Sequence, residues 1–307
     1  MTTAFRSLPP RRWSRFAGLW AALFALLSGC SSTAILDKLV PTDTYVARPS
    51  AAYGADPRQQ LDIYLPLPTA TGAAKPPLVV FFYGGSWTTG ERADYRFVGE
   101  ALASRGIATL VADYRLSPQV RYPVFLQDSA SAVKWAFDHA AELGADPARI
   151  YVVGHSAGGY NAAMLALDAR WLGQVGLKPA QLAGWVGIAG AYEFLPIGIP
   201  EVQVAFNWPN TPADSQPVVH ASARAPRTLL LAASSDTLVS PARNTQALAN
   251  RLKGAGVETA VQMYSGVSHV TLLGAMAAPL NFLAPVANVV ATFVQGGAVP
   301  DTGAPAK

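Results

Sequence analysis

Among the 307 residues, one serine, one aspartate and one histidine follow apolar runs in an order that could make them work together. Gly154-His155-Ser156-Ala157-Gly158-Gly159 directly follows the run Ile150 to Val153 and opens a segment of helical pattern. A G-x-S-x-G pentapeptide between strand and helix is the setting that holds a serine on a tight, strained turn as a nucleophile. Glycines flank it because side chains two residues away would collide with the adjoining strand and helix. The start of the helix adds positive potential where an oxyanion would form. Ser156 is therefore the candidate nucleophile, and the Ala157 N–H is the first oxyanion donor.

A serine nucleophile needs a base, and the chain has four histidines. His139 follows Asp138 on a predicted helix, His155 is a variable position inside the serine turn, and His220 precedes the strand that bears the candidate acid. His269, in Gly266-Val267-Ser268-His269-Val270, alone follows both Ser156 and a suitable carboxylate in the chain order Ser, Asp, His. For the acid, the run Thr228 to Ala232 ends in Ala233-Ser234-Ser235-Asp236-Thr237-Leu238-Val239. A carboxylate there can accept the imidazole N–H, fix its tautomer and stabilise the imidazolium. Asp236 could instead serve the turn or cap the next helix, and Asp214 is the runner-up.

These residues must be positioned by a scaffold. Runs at Leu61 to Leu65, Leu78 to Phe82, Ile107 to Ala112, Ile150 to Val153, Trp185 to Ile188, Thr228 to Ala232 and Thr259 to Tyr264 read as strands. Several are continuously apolar, as parallel strands covered on both faces require. Helical segments at Phe125 to Leu143, Ala157 to Leu167, Pro241 to Lys253 and Pro285 to Phe293 alternate with them, which predicts an α/β fold with a doubly wound, mostly parallel sheet. Each candidate catalytic residue then lies just beyond the C-terminal end of a strand, where such sheets bind ligands. Ala191 to Pro226 breaks the alternation with six prolines and the aromatics Tyr192, Phe194, Phe206 and Trp208, and reads as a lid or pocket-wall insertion, an irregular surface loop being the alternative. With Trp87 and Tyr160 it supplies the candidate substrate-pocket residues.

Oxyanion donors beyond Ala157 are expected after an earlier strand, where Phe82-Tyr83-Gly84-Gly85-Ser86-Trp87-Thr88-Thr89-Gly90 places a glycine pair at a strand exit. With that loop, Asp113-Tyr114-Arg115-Leu116, Asp128 and GHSAGG, the chain resembles the esterase branch of the α/β-hydrolases over roughly Gln60 to Phe293. That branch includes hormone-sensitive-lipase-like carboxylesterases, kynurenine formamidases and bacterial feruloyl-esterase-like proteins. The resemblance implies the α/β-hydrolase fold, with about eight strands and helices on both faces. It also implies that the N–H groups of Gly84 and Gly85 join Ala157 in the oxyanion hole. Tyr83 stands where the family's loop usually has histidine, and Gly85-Ser86-Trp87 leans towards its His-Gly-Gly-x-Trp subgroup. Asp113, Arg115 and Asp128 precede the nucleophile and read as structural.

Composition narrows the remaining classes. The formal charge of +4 comes from the first 29 residues, where Arg6, Arg11, Arg12 and Arg15 meet no acid, leaving 19 basic against 19 acidic residues. A formally neutral remainder gives no support to a nucleic-acid partner. The arginines precede an apolar run from Phe16 to Leu27. Twelve residues at about 1.5 Å each are too short to span a bilayer core of about 30 Å, so residues 1–29 read as an export signal. Leu27-Ser28-Gly29-Cys30 resembles the lipobox of bacterial lipoproteins, and Cys30 is the single cysteine, with no second thiol to pair with. The resemblance implies a lipid on Cys30, a membrane anchor, and, with Ser31 next, sorting to the outer membrane facing the periplasm.

The expected organisation is a signal over residues 1–29, a tether over 30–44, one hydrolase domain over 45–295, and a frayed tail over 296–307. No metal-ligand spacing and no phosphate-binding glycine loop appears, acyl-serine chemistry needs no cofactor, and no obligate protein partner is evident. The leading expectation is hydrolysis of small-molecule carboxylic esters with short to medium acyl chains. Amide or formamide hydrolysis, or acyl transfer, on the same triad is the alternative, and a non-catalytic envelope lipoprotein is the alternative of a different class.

Overall fold

The computed structural model describes residues 36, 39–68 and 74–303. The signal and Cys30 lie outside the described residues. The chain forms β1 (Tyr45–Ala52), β2 (Gln60–Pro66), β3 (Leu78–Phe82), α1 (Arg96–Ala103), β4 (Ala108–Ala112), α2 (Val124–His139), β5 (Ile150–His155), α3 (Ala157–Leu167) and α4 (Ala169–Gly173). Then follow β6 (Gly184–Ile188), α5 (Pro200–Ala205), β7 (Thr228–Ala233), α6 (Ala247–Gly254), β8 (Thr259–Tyr264), α7 (His269–Gly274) and α8 (Val286–Val294).

The strands make one eight-stranded sheet in the order β1-β2-β4-β3-β5-β6-β7-β8. β1 and β2 are antiparallel to their neighbours, and β3 to β8 run parallel. Every residue of β3, β4, β5, β6 and β7 is buried, which explains why these strands read as unbroken apolar runs. Strand order reverses at β3, which lies between β4 and β5, and Phe82 pairs with Gly154. The exits of β3 and β5 therefore open side by side, at the switch point where such sheets leave a crevice.

β1 carries no strong sequence signal because it is an edge strand, mostly solvated, with Pro49 and a register shift between Arg48 and Ala51. Proline and bulges are confined to such edges, where no ladder bond is lost.

Two boundary expectations need correction. The tether over 30–44 belongs partly to the folded unit: Val40 is buried, and Thr44 Oγ1 donates to Glu100 Oε1 at 2.8 Å. Leu36 packs against the same core as Val40. The tail over 296–307 does not fray as far as Gly303. Thr302 N donates to Val261 O at 2.8 Å, Val261 N to Asp301 Oδ1 at 3.2 Å, and Met263 N to Thr302 Oγ1 at 3.2 Å. The outer edge of β8 would otherwise present unpaired amides, and this polar segment satisfies them. Burial works against the Asp301 carboxylate, yet hydrogen bonds from Lys253 Nζ and from the Gly303 and Val261 amides hold it below the usual carboxylate range.

Asp301→Ala should therefore lose about 1 kcal/mol at neutral pH, seen as a fall of about 2–4 °C in Tm, and raise aggregation through the bared β8 edge. An unchanged Tm and unchanged light scattering would show that the segment covers the edge without stabilising it.

Candidate active site

β5 delivers Ser156 onto a turn too tight for ordinary side chains. Ser156 has φ 53°, a left-handed conformation that non-glycine residues rarely adopt. A Cβ on Gly154 would meet Gly158 O at 2.1 Å, and one on Gly158 would meet Phe82 O at 2.0 Å. Only glycine fits at both places, because the turn folds back on itself and presses against the exit of β3. The Ser156 amide is tied to Ile188 O of β6 at 2.9 Å, and α3 begins at Ala157, with Tyr160 N returning to Ser156 O at 3.1 Å. The strain is thus held by backbone bonds on both sides.

The glycine loop lies against this turn: a Cβ on Gly84 would approach Ser156 Cβ to 2.9 Å. Gly85 adopts φ 118°, and a Cβ there would strike Thr89 O at 2.3 Å, so the pair lets the backbone pass close to the serine. Tyr83, at the histidine position, is fully buried and stacks on Tyr95 and Tyr114, with ring centroids 5.0 Å away in each case. Its hydroxyl donates to Asp113 Oδ1 at 2.6 Å and accepts from Arg58 Nη2 at 2.7 Å, which also donates to Gly90 O at 2.8 Å. Arg92 adds an ion pair to the same aspartate. Burial, with Tyr114 and Asp113 nearby, pushes the Tyr83 hydroxyl well above its usual range, so it remains a proton donor. Both ends of the loop are clamped without the family's histidine. Asp128 accepts from Arg115 and Gln59 and likewise holds structure.

His269 sits at the start of α7 after β8, and Asp236 follows β7. His269 Nδ1 donates to Asp236 Oδ2 at 2.7 Å, with both side chains buried. Asp236 Oδ1 accepts from the amides of Leu238 and Val239 at 2.9 and 3.0 Å, so this carboxylate serves its turn and orients the imidazole together. With Nδ1 protonated, Nε2 carries the lone pair a general base requires. Asp214 instead pairs with Arg170 on the surface, and His220 and His139 bond to backbone carbonyls of Asp214 and Trp135.

Ser156, His269, Gly84, Gly85 and Ala157 line one cavity of about 630 Å³. Trp87 also lines it, its indole fixed by a bond from Nε1 to Asn161 Oδ1 at 3.1 Å, a partner that nothing in the sequence pattern singles out. Tyr160 does not line it. The ring is fully buried behind the wall, edge-on to Trp87 and Phe206, and its hydroxyl donates to Ser215 O at 2.8 Å. A tyrosine one turn into a helix buried on all sides has no free face to offer a ligand.

The 191–226 stretch is a wall rather than a detached lid. Phe194, Ile197, Ile199 and Val202 face the cavity, and Ala205 O receives Tyr122 N at 2.7 Å. Asn244 anchors its start, accepting from the amides of Tyr192 and Glu193. Among the described residues, no Asp, Glu, Lys or Arg lines the cavity.

His155, a variable position by sequence, touches the base. Its Nε2 donates to His269 O at 3.1 Å, which leaves Nδ1 as a buried lone pair with no hydrogen-bond partner among the described residues. Burial, reinforced by the neighbouring His269, pulls the His155 ring down to about 3, so it stays neutral at working pH.

The alpha/beta hydrolase fold family matches residues 79–273. The chain is similar to the probable isoprenylcysteine alpha-carbonyl methylesterase ICMEL1 of Arabidopsis thaliana, 30% identical over 85% of this chain and 58% of that protein. It is also similar to carboxylesterase NlhH of Mycobacterium tuberculosis, 44% identical over 32% of this chain and 31% of that one. It thus spans less than two thirds of the length of these curated relatives. Among solved structures, a truncated carbohydrate esterase from gut microbiota superposes with a TM-score of 0.70 at 19% identity, covering 83% of this chain and 98% of that one. At that identity the likeness speaks for the fold alone.

Because His155 is held neutral, the unfolded chain binds a proton below its ordinary value of about 6.5 that the folded chain refuses until about pH 3. Its contribution to stability is therefore present above about pH 6.5 and lost as the pH falls towards 3. Urea unfolding of wild type should weaken between pH 7 and pH 5 by roughly 2 kcal/mol more than that of His155→Gln. Equal losses in the two proteins would show that His155 titrates normally.

Proposed function

The chain belongs to the α/β-hydrolase fold family, and from that premise we propose that it is a serine esterase cleaving neutral carboxylic esters of small to medium size. The observation that carries this reading is the buried bond between Asp236 and His269, on a base that shares one cavity with Ser156 and the glycine loop. Ser156 Oγ attacks the ester carbonyl carbon while His269 Nε2 takes its proton. The amides of Gly84, Gly85 and Ala157 receive the oxyanion, a type of contact in which one donor is typically worth about 100- to 1,000-fold in rate. The imidazolium, held by Asp236, returns the proton to the departing alcohol. Water then attacks the acyl-serine, gives its proton to His269, and the acid leaves as Ser156 regains its hydrogen.

The walls bear on the choice of ester. With no charged side chain along the cavity among the described residues, a charged acyl or alcohol group would lose its hydration without a partner. The plant relative's name assigns it a methyl ester on a prenylated, apolar body, which is consistent with the same preference. We place the protein in the bacterial envelope, anchored by a lipid on Cys30 next to the lipobox-like Leu27-Ser28-Gly29.

A p-nitrophenyl ester series from acetate to dodecanoate tests the activity. Turnover is expected, with the succinate half-ester at least tenfold poorer in kcat/KM than the butyrate, and with Ser156→Ala losing about 10⁴-fold or more in kcat. Absence of hydrolysis across the series, or a Ser156→Ala protein retaining a tenth of the rate, would overturn it.

A further inference from the structure

We propose that the mouth of the active-site cavity docks on a lipid bilayer, so that the enzyme takes its neutral esters from the membrane surface. The choice of substrate source rests on the esterase reading above, whereas the docking itself does not.

Exposed large apolar side chains gather at this mouth. Leu238, Val270 and Ile199 are 67%, 53% and 46% exposed and all line the cavity, although they come from three separate segments. Phe282, 76% exposed, lies two residues beyond the lining residue Leu280, and Leu39, 57% exposed, is bonded through its amide to the carbonyl of the lining residue Leu36. Exposed apolar side chains gathered at one cavity mouth mark an interaction site. Among the described residues the lining supplies no charge, so the attraction is apolar rather than electrostatic.

The position of the chain's N-terminal part selects lipid as the occupant. Leu36 forms part of the cavity wall, and Cys30 stands six residues upstream, three residues after the apolar run Phe16 to Leu27 ends. However that segment runs, six residues reach at most about 20 Å. Membrane attachment through a lipid on Cys30 therefore holds Leu36, in the cavity wall, within about 20 Å of the bilayer, less than the roughly 30 Å diameter of a small folded domain. A protein partner would not fit in that gap. Leucine, isoleucine, valine and phenylalanine side chains facing a bilayer at this distance sink into the boundary between headgroups and acyl chains. The mouth then opens into the layer where neutral esters concentrate, and the substrate reaches Ser156 without crossing water.

The full-chain protein, reconstituted into phosphatidylcholine vesicles, provides the test. Phe282→Cys, labelled with an environment-sensitive fluorophore, should be quenched by nitroxide-bearing lipids at least threefold more than the same label at Ala148→Cys. Ala148 is exposed and precedes β5, at the opposite end of the strands from the cavity. Raising the salt to 0.5 M should leave the quenching unchanged. Equal quenching at the two sites, or none at Phe282, would overturn the proposal. A blue shift of the Phe282 label that grows with protein concentration in the absence of lipid would also overturn it, and would assign the mouth to a second copy of the chain. A parallel readout uses Leu39→Asp combined with Phe282→Asp. It should keep kcat/KM for soluble p-nitrophenyl acetate within twofold and lose at least tenfold on p-nitrophenyl palmitate embedded in the vesicles. Quenching without hydrolysis of either ester would sink the esterase reading while leaving the docking standing.

Discussion

The close approach of two backbones, the exit of β3 and the turn after β5, is the constraint on which the rest of the structure depends. Gly158 passes so near Phe82 O that a single added carbon would sit 2.0 Å from it, and one added to Gly84 would come within 2.9 Å of Ser156 Cβ. That contact exists because β3 and β5 are neighbours in register at the point where strand order reverses. It places an oxyanion loop, a helix N-terminus and a strained serine within one small volume. The strain on Ser156 persists because the surrounding bonds, to Ile188 on one side and from Tyr160 on the other, over-determine it.

The electrostatics follow from burial. Asp236 and His269 lose most of their water, and the carboxylate recovers stabilisation from two amides and the imidazole N–H. A cavity wall lined by apolar and neutral side chains among the described residues keeps the local dielectric low, which strengthens the few polar contacts that remain there. The same lack of charge ties substrate choice to apolar fit. His155 contributes by staying neutral: a second cation beside His269 would oppose formation of the imidazolium.

Much of this was legible in the sequence because the central elements obey strong local rules. The buried parallel strands are unbroken apolar runs, and the serine turn announces itself through glycines that nothing else can replace. Elements that depend on distant partners were not legible. β1 is a solvated edge with a proline, and Asp301 to Gly303 look disordered until the unpaired amides of β8 are in view. Tyr83 reads as the loss of a loop-holding histidine, yet Asp113 and Arg58, 30 and 25 residues away in the chain, turn it into a clamp. Tyr160 reads as a pocket residue from its place after the nucleophile. Its helix is buried on every face, a fact set by sheet topology and invisible in local pattern.

The central claim is that Ser156 is made nucleophilic by His269, which Asp236 holds in one tautomer. Inactivation by a fluorophosphonate, with the adduct mapped by peptide mass spectrometry, tests it most directly. One adduct per chain is predicted, on Ser156, forming about 10³- to 10⁴-fold more slowly in folded Asp236→Asn, in line with the loss known for the equivalent change in a serine protease. An adduct on another residue, or an Asp236→Asn protein that reacts within about tenfold of wild type, would contradict it.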